Sequence, residues 1–170
     1  MLIGDAEGPA ETAAPRNAPI DPRLVFCGIP GGSREEILTE LANRVAGQGF
    51  APDARELVER LLERERLGCT GLGGGIAIPH CKLADIDTVA IAVASTEHPV
   101  DFGAADGRPV TLVFLVVSPA NGAAAHLQAL ARVSRLLRVP GAAEGLRKAA
   151  SPDGLLDVLR EAEAGLPVPQ

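Results

Sequence analysis

One histidine stands where a backbone built for an anion could meet a nucleophile. His80 closes the run Thr70-Gly-Leu-Gly-Gly-Gly-Ile-Ala-Ile-Pro-His80. An imidazole is neutral near neutral pH, with one ring nitrogen holding a proton and the other free to attack. Pro79 fixes its own φ and carries no N–H, so the backbone entering His80 is stiff. Gly71, Gly73, Gly74 and Gly75 permit positive φ and can turn successive amides toward an anion, with Thr70 at the start of the loop. Taken alone, a tight turn between two elements is the simpler account of these glycines. The run is not a dinucleotide fingerprint, because Ile76 stands where the third glycine would fall, and no Gly-Lys-Ser/Thr follows to make a P-loop.

Two further residues could join His80. His126 lies on a helical pattern with Leu130, Val133 and Leu137, at offsets that turn it inward at the edge of the core. A hydrogen-bonded core histidine would sit there equally well. Arg64 follows Leu57 and Leu61 at helical spacing, which aims its guanidinium along the apolar face toward the glycine loop, and a guanidinium suits a phosphate. Periodicity alone does not single it out from Arg60 and Arg66. His98, followed by Pro99, reads as a surface turn with no role. Cys27, Cys69 and Cys81 have no CxxC spacing and read as reduced thiols, with no metal site. There is no nucleophile elbow around any serine.

These residues must be held by elements that the pattern also predicts. Ser33 with Glu36 three residues on reads as a capping box for a helix carrying Ile37, Leu38, Leu41 and Val45 and ending near Gly47. Asp53 caps a second helix, with Leu57, Val58, Leu61 and Leu62 on its apolar face, that stops by Gly68. Extended segments are expected over 76–78, 89–94 and 109–117, the last rich in β-branched residues. Helices follow over 122–137, with Leu127 on the apolar stripe, over 141–149, and over 152–164 with Pro152 in its first turn after Ser151. Helices on both sides of a run of strands predict an α/β single-domain sandwich, a mixed β-sheet flanked by helices. Residues 1–22, with four prolines among Ala and Gly, read as a flexible leader; 23–166 form the domain and 167–170 a tail.

Composition agrees. A chain of 170 residues is one domain of ordinary size, and 46% hydrophobic with 22% charged residues lies in the globular range. No apolar stretch approaches the roughly 20 residues that cross a bilayer, so direct membrane insertion is not expected. Near Met1 no basic segment precedes an apolar run, which leaves a cytoplasmic location as the expectation. With 16 basic against 22 acidic residues, a net charge of -6 and no Trp or Tyr, nucleic acid is a poor partner.

The segment Arg64-Glu-Arg-Leu-Gly-Cys-Thr-Gly-Leu-Gly-Gly-Gly-Ile-Ala-Ile-Pro-His80 resembles the phosphorylation-site signature of enzyme IIA domains of the fructose/mannitol class (type 2) in the bacterial phosphotransferase system. Two further segments, Glu97-His-Pro-Val-Asp-Phe-Gly-Ala-Ala-Asp-Gly-Arg-Pro-Val110 and Ala125-His126-Leu-Gln-Ala-Leu, occur in the family's order, sixteen positions separate Arg64 from His80, and forty-six separate His80 from His126. The form Gly-Ile-Ala-Ile-Pro-His is most like the nitrogen-regulatory branch. The resemblance implies that His80 accepts phosphate, as tele-phosphohistidine, from a phosphorylated HPr-like carrier protein and passes it to an enzyme IIB or a regulatory target. His126 would steady the phosphate, Arg64 would position phosphate or partner, and Thr70, Gly73, Gly74 and Gly75 would line the phosphate site, with no cofactor and no metal. Sugar-specific relatives and a partner-binding regulator are the alternatives. The chain departs from the family where Gly74 replaces the usual Asn or acidic residue and Cys69 the usual Ser.

Overall fold

The computed structural model describes residues 20–166. The expected leader up to residue 19 and the tail from 167 lie outside the described residues. Ile20 and Pro22, expected in the leader, belong to the fold: Ile20 is buried, and Pro22 opens a 3-10 turn, Pro22–Leu24, capped by Asp21. The elements then run β1 (Val25–Ile29), α1 (Arg34–Gly47), α2 (Ala54–Arg66), β2 (Gly71–Gly73), β3 (Ile76–Ala77), β4 (His80–Leu83), β5 (Ala90–Val100), β6 (Val110–Pro119), α3 (Ala123–Leu137), α4 (Ala142–Lys148) and α5 (Pro152–Ala164).

The sheet is mixed. Its order is β1-β5-β6-β3-β2, with β4 also on β6. β3 and β4 both run parallel to β6 along one edge, Ile76 opposite Leu112 and His80 opposite Val116. They are in effect one strand broken at Ile78 and Pro79, where the proline cannot donate to a ladder. β6 is buried on both faces. Val113, Leu115 and Val117 meet Leu38, Leu41, Leu57 and Leu61 of α1 and α2. Leu112, Phe114 and Val116 meet Val133, Leu136, Leu146, Leu155 and Leu159 of α3, α4 and α5. The strand's two-residue period sends alternate side chains into the two halves of the core.

The helices start where the sequence predicts. Ser33, Asp53 and Ser151 each accept an N–H of the first turn. At Ser33 the return half of the capping box shifts by one residue, since Glu36 accepts from Gly32 N–H at 2.7 Å. Three expectations change. His98 and Pro99 lie inside β5, not in a turn; the β5–β6 register shifts between Ser95 and Val100, and a proline is tolerated in that irregular stretch. Leu127 leaves the α3 stripe and is 67% exposed; His126 and Val133 are buried as expected, joined by Ala129 and Leu136, while Leu130 and Leu137 are half-buried. β1, β2 and β4 appear where the sequence pattern gave no strand.

Candidate functional site

His80 is the first residue of β4 and shares its face of the sheet with Val116, its partner across the pair. That is the α3 side. α2 packs on the other face and against β4, and its last turn carries Arg64 round the edge that β2, paired only to β3, leaves open. α3 begins just after β6 and brings His126 down onto the same spot. The three residues meet there: Arg64 Nε lies 3.1 Å from His80 Nε2, and the two imidazole rings are 5.4 Å apart at centroids and inclined by 51°.

Hydrogen bonding fixes the chemistry of His80. Its Nδ1 lies 2.8 Å from the Ile78 carbonyl oxygen, an acceptor only, so Nδ1 carries the proton and donates. Nε2 is then a lone pair, and the Arg64 Nε–H points at it. Arg64 is itself held by Nη1 donating to the Gly68 carbonyl at 3.0 Å. His126 is 7% exposed, with Nδ1 2.7 Å from the Ser118 hydroxyl. Burial first, then positive charge at Lys82 and on the His80 ring whenever that is protonated, lowers its pKa below the ordinary 6.5, which favours the neutral ring. A nucleophilic nitrogen, a fixed cation and a second neutral imidazole therefore surround one half-buried point.

Thr70 and the glycines are placed differently. The Thr70 hydroxyl donates to the buried Glu65 carboxylate, and Thr70 N–H also approaches it at 3.4 Å. Arg34 Nη1 stands 3.7 Å from the same carboxylate, so Thr70 anchors the loop to α2 and α1. Gly73, Gly74 and Gly75 do have positive φ, of 87, 65 and 81°, but they form the tip of the β2–β3 hairpin. The Gly75 carbonyl accepts from Thr111 and Leu112, whereas His80 pairs with Val116. Five residues of strand separate Thr111 from Val116, about 16 Å. The expected adjacency of this glycine tip to the imidazole is therefore corrected. Its groups are also taken: Gly74 N–H donates to Asp106 at 2.7 Å, and Arg147 donates to the Gly74 carbonyl. Asp106, held below the usual carboxylate range first by Gly74 N–H and then by Arg108 N–H, is a brace for the hairpin.

The cysteines form no cluster at the site. Cys81 faces the α1–α2 half of the core, and burial pushes its thiol up to about 12. Cys69 bridges Phe102 O and Gly71 N–H through its sulfur. His98 is exposed on β5, at the surface as expected.

Sequence reasoning missed Glu65 and Ser118. Glu65 had a signal: it follows Leu57 and Leu61 at intervals of four, a carboxylate on the buried stripe of α2. Ser118 had a weaker one, as a hydroxyl ending an otherwise apolar strand eight residues before a histidine.

Fold and site together define an α/β domain organised around one histidine with a free ring nitrogen. The family model for the phosphoenolpyruvate-dependent sugar phosphotransferase system, EIIA 2, matches residues 18–162. The chain belongs to that family, whose members take part in phosphotransfer. It is 36% identical over 146 residues to a nitrogen regulatory protein of Pseudomonas aeruginosa, covering 86% of this chain and 95% of that one. It is 35% identical over 138 residues to a fructose-specific EIIA component of Haloferax volcanii, covering 81% and 90%. Among solved structures it resembles nitrogen regulatory protein IIA-Ntr from Neisseria meningitidis, with a TM-score of 0.75, 28% identity and coverage of 82% and 95%. The fold is also that of the mannitol enzyme IIA of Escherichia coli solved in complex with phosphorylated enzyme IIB, with a TM-score of 0.69, 22% identity and coverage of 82% and 95%. Among the described residues no helix is long and apolar enough to cross a membrane.

Proposed function

We propose that this chain is a cytoplasmic phosphocarrier in which His80 Nε2 accepts a phosphoryl group from a phosphorylated HPr-like protein and yields it to an enzyme IIB or holds it as a regulatory mark. The observation that carries this reading is the hydrogen bonding of the His80 ring, Nδ1–H on the Ile78 carbonyl and Nε2 facing Arg64. In the transfer the Nε2 lone pair attacks phosphorus in line, the P–N bond to the donor's histidine breaks, and that histidine leaves with the electron pair. The His80 ring, now substituted at Nε2 and still protonated at Nδ1, becomes cationic, and the Ile78 carbonyl stabilises that charge. Arg64 turns from the lone pair to the phosphoryl oxygens, where a guanidinium offsets charge that develops on the equatorial oxygens. His126 supplies a second donor. No metal or cofactor enters any of these steps.

Exposed leucines flank the site and favour a protein over a small molecule as donor and acceptor. Leu67, 85% exposed, lies one turn beyond Arg64, and Leu127, 67% exposed, follows His126. The Pseudomonas relative favours a regulatory use of the phosphate, which adds a charge of roughly -1.5 to -2 to the surface. The Haloferax relative supports the second reading, a sugar-specific IIA of an uptake system. Incubation with a phosphorylated HPr-type carrier, followed by intact mass, should add one phosphoryl group to the wild-type protein and none to His80→Ala. Addition to His80→Ala would overturn the proposal. Efficient onward transfer to a sugar-specific IIB would favour uptake, and phosphorylation-dependent capture of a target protein would favour regulation.

A further inference from the structure

The hydroxyl of Ser118 is a buried polar group that the transfer scheme leaves without a task. Ser118 stands two residues beyond Val116 on β6, on the face that carries His80, and its side chain is wholly inaccessible to solvent. Its Oγ is 2.7 Å from His126 Nδ1, and among the described residues that is the one hydrogen bond recorded for it.

A hydroxyl and a neutral imidazole can share such a bond in two ways, and they differ in which protons are left over. If Nδ1–H donated to Oγ, the proton of the fully buried serine would have no acceptor recorded among the described residues, and the full desolvation cost of a buried donor would be incurred. The opposite ring edge would then present a lone pair at Nε2. If Oγ–H donates to Nδ1, the serine proton is satisfied and the imidazole proton is forced onto Nε2. Only this second arrangement leaves no buried donor unmet. It also gives the ring beside His80 an N–H to offer, where the first would set a lone pair against the oxygens of an incoming phosphoryl group.

We propose that Ser118 is a positioning residue that donates to His126 Nδ1, locks the Nε2–H tautomer and so makes His126 a neutral hydrogen-bond donor to the phosphoryl group on His80. Ser118 touches no reacting atom and acts through His126 alone. The inference rests on the phosphocarrier reading for its purpose, and the tautomer itself can be read without any phosphate.

The test is nitrogen NMR of the full-length protein labelled in its histidine rings, recorded above neutral pH. In the wild-type protein, His126 should show a pyrrole-type Nε2 and a pyridine-type Nδ1. In Ser118→Ala, a nearly isosteric change, the His126 signals should shift toward a mixture of tautomers. Transfer from a phosphorylated carrier should slow by about tenfold, with KM for the carrier unchanged because Ser118 is out of its reach. Ser118→Thr keeps the hydroxyl and should restore both the tautomer and the rate. A pyridine-type Nε2 in the wild-type protein would overturn the proposal, as would an Nε2–H tautomer undisturbed in Ser118→Ala. Failure of His80 to take up phosphate, with the Nε2–H tautomer intact and dependent on Ser118, would instead sink the phosphocarrier reading and leave the tautomer assignment standing.

Discussion

Two ends of one sheet edge look alike in the sequence and behave oppositely in the fold. At the β2–β3 tip, three glycines with positive φ have their polar groups engaged: Gly74 N–H by Asp106, Gly74 O by Arg147, and Gly75 O by the β6 amides. At the start of β4, His80 keeps a ring nitrogen whose one recorded hydrogen bond among the described residues is to a guanidinium, and Arg64 is half-exposed. The first region is closed, and the second has an unmet capacity for an anion. A cluster of glycines thus reports a backbone path, and the chemistry lies where side chains converge with valences to spare.

Substitutions at the two ends should separate transfer from stability. The largest effect on rate short of removing His80 is expected from Arg64→Ala, a drop of about 10²-fold in phosphoryl transfer, the usual cost of losing one preorganised donor. Its unfolding midpoint should stay near that of the wild-type protein, because the side chain is not part of either apolar cluster. At the closed end the pattern inverts. Gly73→Ala forces a Cβ onto a φ of 87° and within 2.9 Å of Asp106 Oδ2, so denaturant titration should find a loss of about 1–2 kcal/mol, with transfer per folded molecule nearly unchanged. If Gly73→Ala slowed transfer as much as Arg64→Ala, the contrast between the two ends would collapse.

A smaller effect belongs to pH. The native pKa of His126 lies below 6.5, so the native state binds fewer protons than the unfolded chain between those two values. Stability should therefore hold above pH 6.5 and fall as pH drops through that window, by at most about one proton's worth of slope. Unfolding measured against pH should lose this component in His126→Gln. The smallest change is expected from Gly74→Asn. Asn tolerates the φ of 65°, and a Cβ there would have its nearest atom, Arg147 Nη2, at 3.8 Å. Stability should fall by less than the roughly 1–2 kcal/mol expected of Gly73→Ala, because Asn is among the residues that tolerate the left-handed region best and no close contact opposes its Cβ.

Much of the fold was legible because its signals are local. Ser33, Asp53 and the Ser151–Pro152 pair mark helix starts by side-chain chemistry within one turn, and the β-branched run of β6 marks the central strand. β1 was not, since five residues ending beside Gly28 and Pro30 leave no room for a period to develop. β4 was hidden behind Pro79, and its exposed Lys82 breaks the apolar pattern. At the site, Arg64, His80 and His126 were found because residue type and family spacing agreed. The braces were not, because Asp106 on Gly74 spans thirty-two positions and Arg147 on the same residue seventy-three, and nothing along the chain announces a pairing at such range.

The assignment of the nucleophile to one atom is open to direct measurement. Protein carrying nitrogen-labelled histidine can be phosphorylated by an HPr-type carrier and the phosphorus–nitrogen coupling read by NMR. The hydrogen bond of Nδ1 to the Ile78 carbonyl predicts coupling to Nε2 of His80. Coupling to Nδ1, or to a nitrogen of His126 or His98, would contradict it.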